Sequence, residues 1–268
     1  MDTLSIELII IIVLIAFLFE IMDSGAGMGF GTGLTPLLLL MGFEPLQIVP
    51  TILISESITG FIDSYFDNEF KNAKFKFRPM SDETRLALII GFFGCISIIF
   101  SIYLTYAALK LPKEFIKLYV AILVLFMGIF GIFRARIMKK KDLRPKPKLM
   151  MGFAALAGFN KGIGGGGYGP VITLGEVSCG VYEKSATAIV SFSEAMVSIA
   201  GIFSFLFLSV IAGVKIDLIL LPWIFTGAFF GAIITPYIVR VVPNKVWKFI
   251  IPSYAIGIGV YTLYTIFI

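Results

Sequence analysis

Apolar residues in this chain come in long blocks separated by short polar stretches. A bilayer core of roughly 30 Å needs about 20 apolar residues per spanning helix. Ile48–Phe66, Leu86–Leu109, Phe115–Phe133, Thr187–Val214, Leu218–Val239 and Val246–Ile268 reach or approach that length. Two other places share a different order: an apolar helix, a glycine-rich stretch, then a short apolar run. In the first, Leu4–Met22 precedes Gly25-Ala26-Gly27-Met28-Gly29-Phe30-Gly31-Thr32-Gly33 and the run Leu34–Met41. In the second, Leu149–Phe159 precedes Gly162-Ile163-Gly164-Gly165-Gly166-Gly167 and the run Pro170–Leu174. Runs this short do not cross a bilayer alone. The pattern predicts an all-α integral membrane protein of eight to ten hydrophobic segments. The first segment carries Asp2 and Glu7 where a cleaved signal peptide has basic residues, so it is expected to stay as a helix.

Charge supplies the orientation. The stretch from Arg134 to Lys148 holds eight Lys/Arg against one acid, Asp67 to Arg85 holds five cations and Arg240 to Lys248 three. Cytoplasmic loops concentrate Lys and Arg, which puts these loops and Lys184 inside, and the turns near Lys110–Lys117 and Lys215 outside. Both ends of the segment from Lys148 to Lys184 then lie inside, so its helix–glycine–short-helix unit is a re-entrant hairpin. The unit around Gly25–Gly33 becomes a hairpin entering from outside, and both termini fall outside. Each half reads as a glycine-loop hairpin plus three transmembrane helices, and the second half is upside down relative to the first, an inverted repeat. The first repeat covers residues 1–133, a basic cytoplasmic linker covers 134–148 and the second repeat covers 149–268, together one membrane domain. Gly31-Thr32-Gly33-Leu34-Thr35-Pro36 aligns with Gly165-Gly166-Gly167-Tyr168-Gly169-Pro170. With four extra residues allowed in the second connection, Ser55-Glu56 falls on Ser193-Glu194, and Lys161 falls on Gly27.

Composition agrees and narrows the chemistry. The chain is 58% hydrophobic and 15% charged, with no histidine and two cysteines among 268 residues; its mean hydropathy is +0.98. Soluble domains are about 45–50% apolar and about 25% charged, so a water-soluble enzyme is excluded. Without histidine the usual general base and the commonest zinc ligand are missing, and no catalytic residue, metal site or cofactor is expected. Most of the net charge of +5 sits in loops between spans, which fits lipid and not nucleic acid as the partner.

The glycine-rich stretch before a proline-started short helix, present once per half over essentially the whole chain, resembles the TauE/SafE (TSUP) family of sulfite and sulfonate exporters. The pattern is clearer in Gly162–Leu174 than in Gly25–Met41, where Met28, Phe30 and Thr32 interrupt the glycines. The resemblance implies a multi-pass transporter of small, often sulfur-containing anions in a prokaryotic plasma (inner) membrane or an organelle.

The residues themselves point to an anion. A re-entrant loop leaves backbone groups at membrane depth, tolerable where protein or a water-filled cavity meets them. Thr35 is a good N-cap and Pro36 a good first helical residue, so a short helix is expected to start there, and Gly169-Pro170 repeats the arrangement from the other side. Two helix N-termini meeting at the midplane offer unpaired amides and positive dipole ends to a small oxyanion. The substrate-binding candidates are Gly31, Thr32, Gly33, Thr35, Pro36, Asn160, Lys161, Gly165, Gly166, Gly167, Tyr168, Gly169, Pro170, Ser55 and Ser193. Glycines of this kind also serve helix packing, and Tyr168 could equally be an interfacial anchor.

Glu56 and Glu194 lie deep in their spans, where an acid costs roughly 2.5–3.5 kcal/mol on insertion scales. They are candidates for proton coupling, or for bracing the hairpins. Lys161 could hold the anion or neutralise Glu194, and Glu20 and Asp23 line the entry or, as the favoured expectation, lie in a solvated outer vestibule. The favoured function is secondary transport of a small anion by alternating access, with protons as candidate co-ions. The alternatives are a passive anion channel, a membrane subunit that needs a partner, and, with least support, an intramembrane hydrolase. The sequence leaves monomer and homodimer both open.

Overall fold

The structure is a computed structural model that describes residues 4–27, 29–137, 147–178, 181, 183–241 and 244–268. Among these residues there are ten α-helices and no strand beyond an isolated Phe77–Met80 bridge. The order is α1 (Ile6–Ala26), α2 (Phe30–Leu40), α3 (Pro45–Glu69), α4 (Asp82–Ile102, extended by a π-helical segment Tyr103–Ala108), α5 (Lys113–Ile137), α6 (Pro147–Gly164), α7 (Tyr168–Ser178), α8 (Glu183–Ala212), α9 (Leu221–Val241) and α10 (Asn244–Phe267). Among the described residues five stretches are long and apolar enough to cross a membrane: Pro45–Glu69, Asp82–Ala108, Lys113–Phe133, Ser185–Ala212 and Leu221–Ile238. They fall on five of the six expected spans, and the sixth falls on α10. Most of the expected linker, 138–146, lies outside the described residues.

The apolar surface is what lipid contact requires. Ile10, Leu14, Leu18, Phe92, Ile96, Phe126 and Phe203 are all exposed. By contrast α3 is 67% buried over its most apolar window, against 39–44% for the other four candidate spans. This helix therefore runs through the interior. It packs on α8 and α9, and α8 also packs on α4. Around that centre α1 lies on α9, α6 on α4 and α5 on α10.

Small residues allow these close approaches, since interhelical attraction in lipid depends on van der Waals contact. A Cβ on Gly158 of α6 would stand 2.4 Å from the Gly94 carbonyl oxygen of α4, and one on Gly227 of α9 would stand 2.2 Å from the Val13 oxygen of α1. Three hydroxyls then stitch α4 to α6: Ser97 donates to the Ala155 oxygen, Ser101 to Phe159 at 2.7 Å and Tyr106 to Ile163 at 2.8 Å. Ser97 and Ser101 are four residues apart and Tyr106 is five further on. The π-helical turn supplies that extra residue, keeping Tyr106 on the face toward α6.

Candidate functional site

The site is built where two helices break. The chain between α1 and α2 turns at Gly27, whose φ of 65° is left-handed and whose N–H donates to the Asp23 oxygen at 2.6 Å. The chain between α6 and α7 turns at Gly165, with φ 73° and an N–H donated to the Lys161 oxygen at 2.8 Å. Both are left-handed helix ends, a conformation that favours glycine. The two breaks lie directly against each other. A Cβ on Gly31 would stand 2.2 Å from the Gly165 oxygen, and one on Gly169 would stand 2.4 Å from the Gly27 oxygen. The Gly167 N–H donates to Thr32 Oγ1 at 3.0 Å, and Thr173 Oγ1 donates to the Gly27 oxygen at 3.2 Å. The first turns of α2 and α7 therefore cross side by side.

This geometry corrects several expectations. Helix α2 begins at Phe30 after Gly29, five residues before the expected cap, so Thr35 and Pro36 lie inside it and Gly31 and Gly33 are helical. Apolar Phe30 and Leu34 are fully buried, so packing fixes this start, and the Asp23 carboxylate of α1 accepts from the backbone N–H groups of Gly29 and Phe30. Gly162 and Gly164 likewise belong to α6. Pro170 does sit in the first turn of α7, where its missing N–H costs nothing. Gly27 and Gly165 hold the same left-handed position after their helices, and their spacing also separates Ser55-Glu56 from Ser193-Glu194 without any inserted residue. At the same spacing Lys161 corresponds to Asp23, not to Gly27.

Asp23, Glu56, Lys161 and Glu194 form one cluster, buried except for the half-buried Asp23. Lys161, fully buried, donates from Nζ to Glu56 Oε2 and to Glu194 Oε1, the latter at 2.7 Å. Its ammonium also lies 5.7 Å from the ring centre of the fully buried Tyr168, which is therefore a core residue and not an interfacial anchor. Asp23, Glu56 and Glu194 each bring a carboxylate oxygen within 4.8 Å of the others. Three carboxyl groups of this kind could hold a cation, and the Lys161 ammonium already takes that place between two of them. Sequence reasoning set Asp23 and Glu20 in a solvated vestibule. Instead Glu20 is 2% exposed, and both line a cleft with Glu56, Thr59, Gly60, Asp63, Ser191 and Glu194. The cleft has about 10 Å³ of space, enough for about one water.

The remaining candidates divide. Asn160 accepts a 2.5 Å hydrogen bond from Tyr119, and Ser193 donates within its own helix to the Val190 oxygen at 3.1 Å. The hydroxyls of Thr35 and Ser55, and of Thr51 one turn before Ser55, are buried with no hydrogen-bond partner among the described residues. Thr51 was missed because a threonine in an apolar helix carries no charge signal. At one end of the bundle a vestibule of about 310 Å³ is lined by Glu44, Gln47, Lys113, Lys215 and Asp217, with Tyr106 also in its wall. There Lys113 pairs with Glu44 at 2.7 Å and Gln47 with Asp217 at 2.7 Å. Because Tyr106 holds the Ile163 carbonyl, the vestibule reaches to within one turn of the second break.

A family model described as sulfite exporter TauE/SafE matches residues 12–262, taking in both breaks. The "probable membrane transporter protein YtnM" of Bacillus subtilis (strain 168) is 26% identical over 206 residues, 74% of this chain and 64% of that relative. The chain thus spans just under two thirds of that relative's length. No solved structure matches it.

Proposed function

Because the chain belongs to the sulfite exporter TauE/SafE family, we propose that it is a membrane transporter that moves a small sulfur oxyanion, such as sulfite or an organosulfonate, by alternating access with protons in the same cycle. The observation that carries this reading is the crossing of two helix breaks beside one buried ammonium and three carboxyl groups. The first N–H groups of α2 and α7 have no acceptor within their own helices, and each helix start carries a partial positive charge. Those of these amides not already held by Asp23 and Thr32, with the unpartnered hydroxyls of Thr35, Thr51 and Ser55, are the donors offered to the oxyanion.

Charge balance makes the proton part of the cycle. With Asp23, Glu56 and Glu194 ionised, three negative charges face one positive charge, and an arriving anion is repelled. Protonation of Glu56 and Glu194 removes that repulsion, frees the Lys161 ammonium to attract the anion and turns two acceptors into donors. Loss of the protons on the far side restores the ion pairs and expels the anion. The two halves act as inverted repeats about this point, one face opening as the other closes. The vestibule near Lys113 and Lys215 is the outer approach, and the membrane is the plasma membrane.

A ligand panel tests the substrate class. Sulfite or ethanesulfonate is expected to raise the melting temperature of the purified protein, equivalent to about 2.7 kcal/mol at 100 times the dissociation constant. A shift with magnesium or calcium and none with any anion would overturn the reading.

A further inference from the structure

Beyond the central cluster a row of buried carboxyl groups continues along α3 among the described residues. Glu56, Asp63 and Asp67 share a face of α3, at spacings of seven and four residues, and reach about 16 Å along it at about 1.5 Å per residue. Glu20 of α1 stands beside Glu56 and Asp63 in the narrow cleft. Asp67, 5% exposed, lies one turn beyond Asp63 and accepts from Asn72 Nδ2 at 2.8 Å. Asn72 belongs to the loop that carries the exposed Lys71 and Lys74. The row therefore runs from that loop to the centre. At the spacing that relates the two halves, Glu20, Asp63 and Asp67 correspond to Gly158, Gly201 and Phe205, so the second half has no matching row toward the opposite end.

A second observation is independent of the clustering. Glu20 Oε2, Glu56 Oε1 and Asp63 Oδ1 belong to side chains 2%, 4% and 3% exposed, they line the cleft, and none accepts from a donor group among the described residues, while the Glu20 and Asp63 carboxyl groups lie within hydrogen-bonding reach of each other. Buried acceptors left unpaired cost about 1–3 kcal/mol each, a cost relieved when a proton or a protonated water is shared between neighbours. The cleft has room for one water and none for an oxyanion. The groups facing it are Glu20 and Asp23 from α1, Glu56 and Asp63 from α3 and Glu194 from α8, with Lys161 of α6 and Tyr168 of α7 behind the last. Ser24 donates to Asp63 Oδ2 at 2.5 Å. Helix α9, packed on α1 and α3, adds only the exposed Tyr237 among its described titratable side chains.

We infer that Asp67, Asp63 and Glu20 form a one-sided proton conduit joining the Asn72 loop to the Glu56–Glu194 centre. Each step moves one proton from a carboxylic acid to the next carboxylate, directly or through one water, and leaves the donor ionised. The inference rests on the proton coupling proposed above and adds the face of the bundle through which the proton passes.

Time-resolved infrared absorption of protonated carboxyl groups after an alkaline pH jump, on the full chain in liposomes, tests it without any substrate. The component missing from Glu56→Gln reports Glu56. In Asp63→Asn that component is expected to respond slower by on the order of 100-fold, the usual yield of a positioned acid–base group, and Asp63→Glu restores the rate. A wild-type rate in Asp63→Asn overturns the conduit, as does an Asp63→Glu variant as slow as Asp63→Asn or a wild type with no Glu56 component. If sulfite movement carries no proton in wild-type vesicles while Asp63→Asn still slows the infrared response, the coupling reading falls and the conduit stands.

Discussion

Lys161 is the residue on which the centre depends. A buried ammonium survives in lipid only when paired, and breaking such a pair by removing one partner costs about 3–5 kcal/mol because the other charge is left buried. Lys161→Met is therefore expected to lower the apparent melting temperature sharply, since Glu56 and Glu194 both lose their donor. The triple change Lys161→Met, Glu56→Gln, Glu194→Gln should recover most of that loss in the same assay. Equal melting temperatures for wild type and Lys161→Met would show that the pairs contribute nothing. Three members of this cluster were legible in the sequence, because a lone charge inside an apolar run stands out. Asp23 and Glu20 were not. Two acids close to a glycine-rich stretch look like a helix end near water, and it is tertiary packing that places them, Glu20 against Gly231 of α9 and Asp23 beside Gly169 of α7.

At the scale of elements, the helix–glycine–helix units were readable from glycine content and run length, but their register was not. Several glycines could each have ended α1, and Pro36 in isolation reads as a helix start. It sits instead in the seventh position of α2, where it deprives the Thr32 carbonyl of its intrahelical donor. The contact that decides the register is tertiary, Gly31 against Gly165 and Gly169 against Gly27. Gly31→Ala and Gly166→Ala each force a Cβ to within 2.2 and 2.4 Å of a backbone oxygen, so each should destabilise by at least the roughly 1–3 kcal/mol of an overpacked core. Gly152→Ala, in the exposed part of α6 with nothing within 4 Å, should be neutral or stabilising by up to about 1 kcal/mol. Thermal unfolding in detergent separates the two outcomes.

Across the whole molecule the helix partners exchange in order. Replacing α1–α5 by α6–α10 turns the α1–α9 pair into α6–α4 and the α4–α8 pair into α9–α3, and leaves α3–α8 and α5–α10 as they are. This pattern supports inverted repeats with both termini on one face, which makes an accessibility prediction. In a chain with both native cysteines replaced, Ser5→Cys and Thr265→Cys should react with an impermeant maleimide from outside intact cells, and Asp82→Cys should not. Labelling of Ser5→Cys and Asp82→Cys from the same side would refute the topology. The central claim is tested most directly by following radiolabelled sulfite together with an internal pH dye in proteoliposomes. The account predicts that wild-type protein moves sulfite faster than protein-free vesicles, with a coincident proton signal that Glu56→Gln and Glu194→Gln abolish; a second run with ethanesulfonate, which stays ionised, shows that the proton is the protein's. Sulfite movement no faster than in empty vesicles, or a wild-type proton signal in both variants, would contradict it.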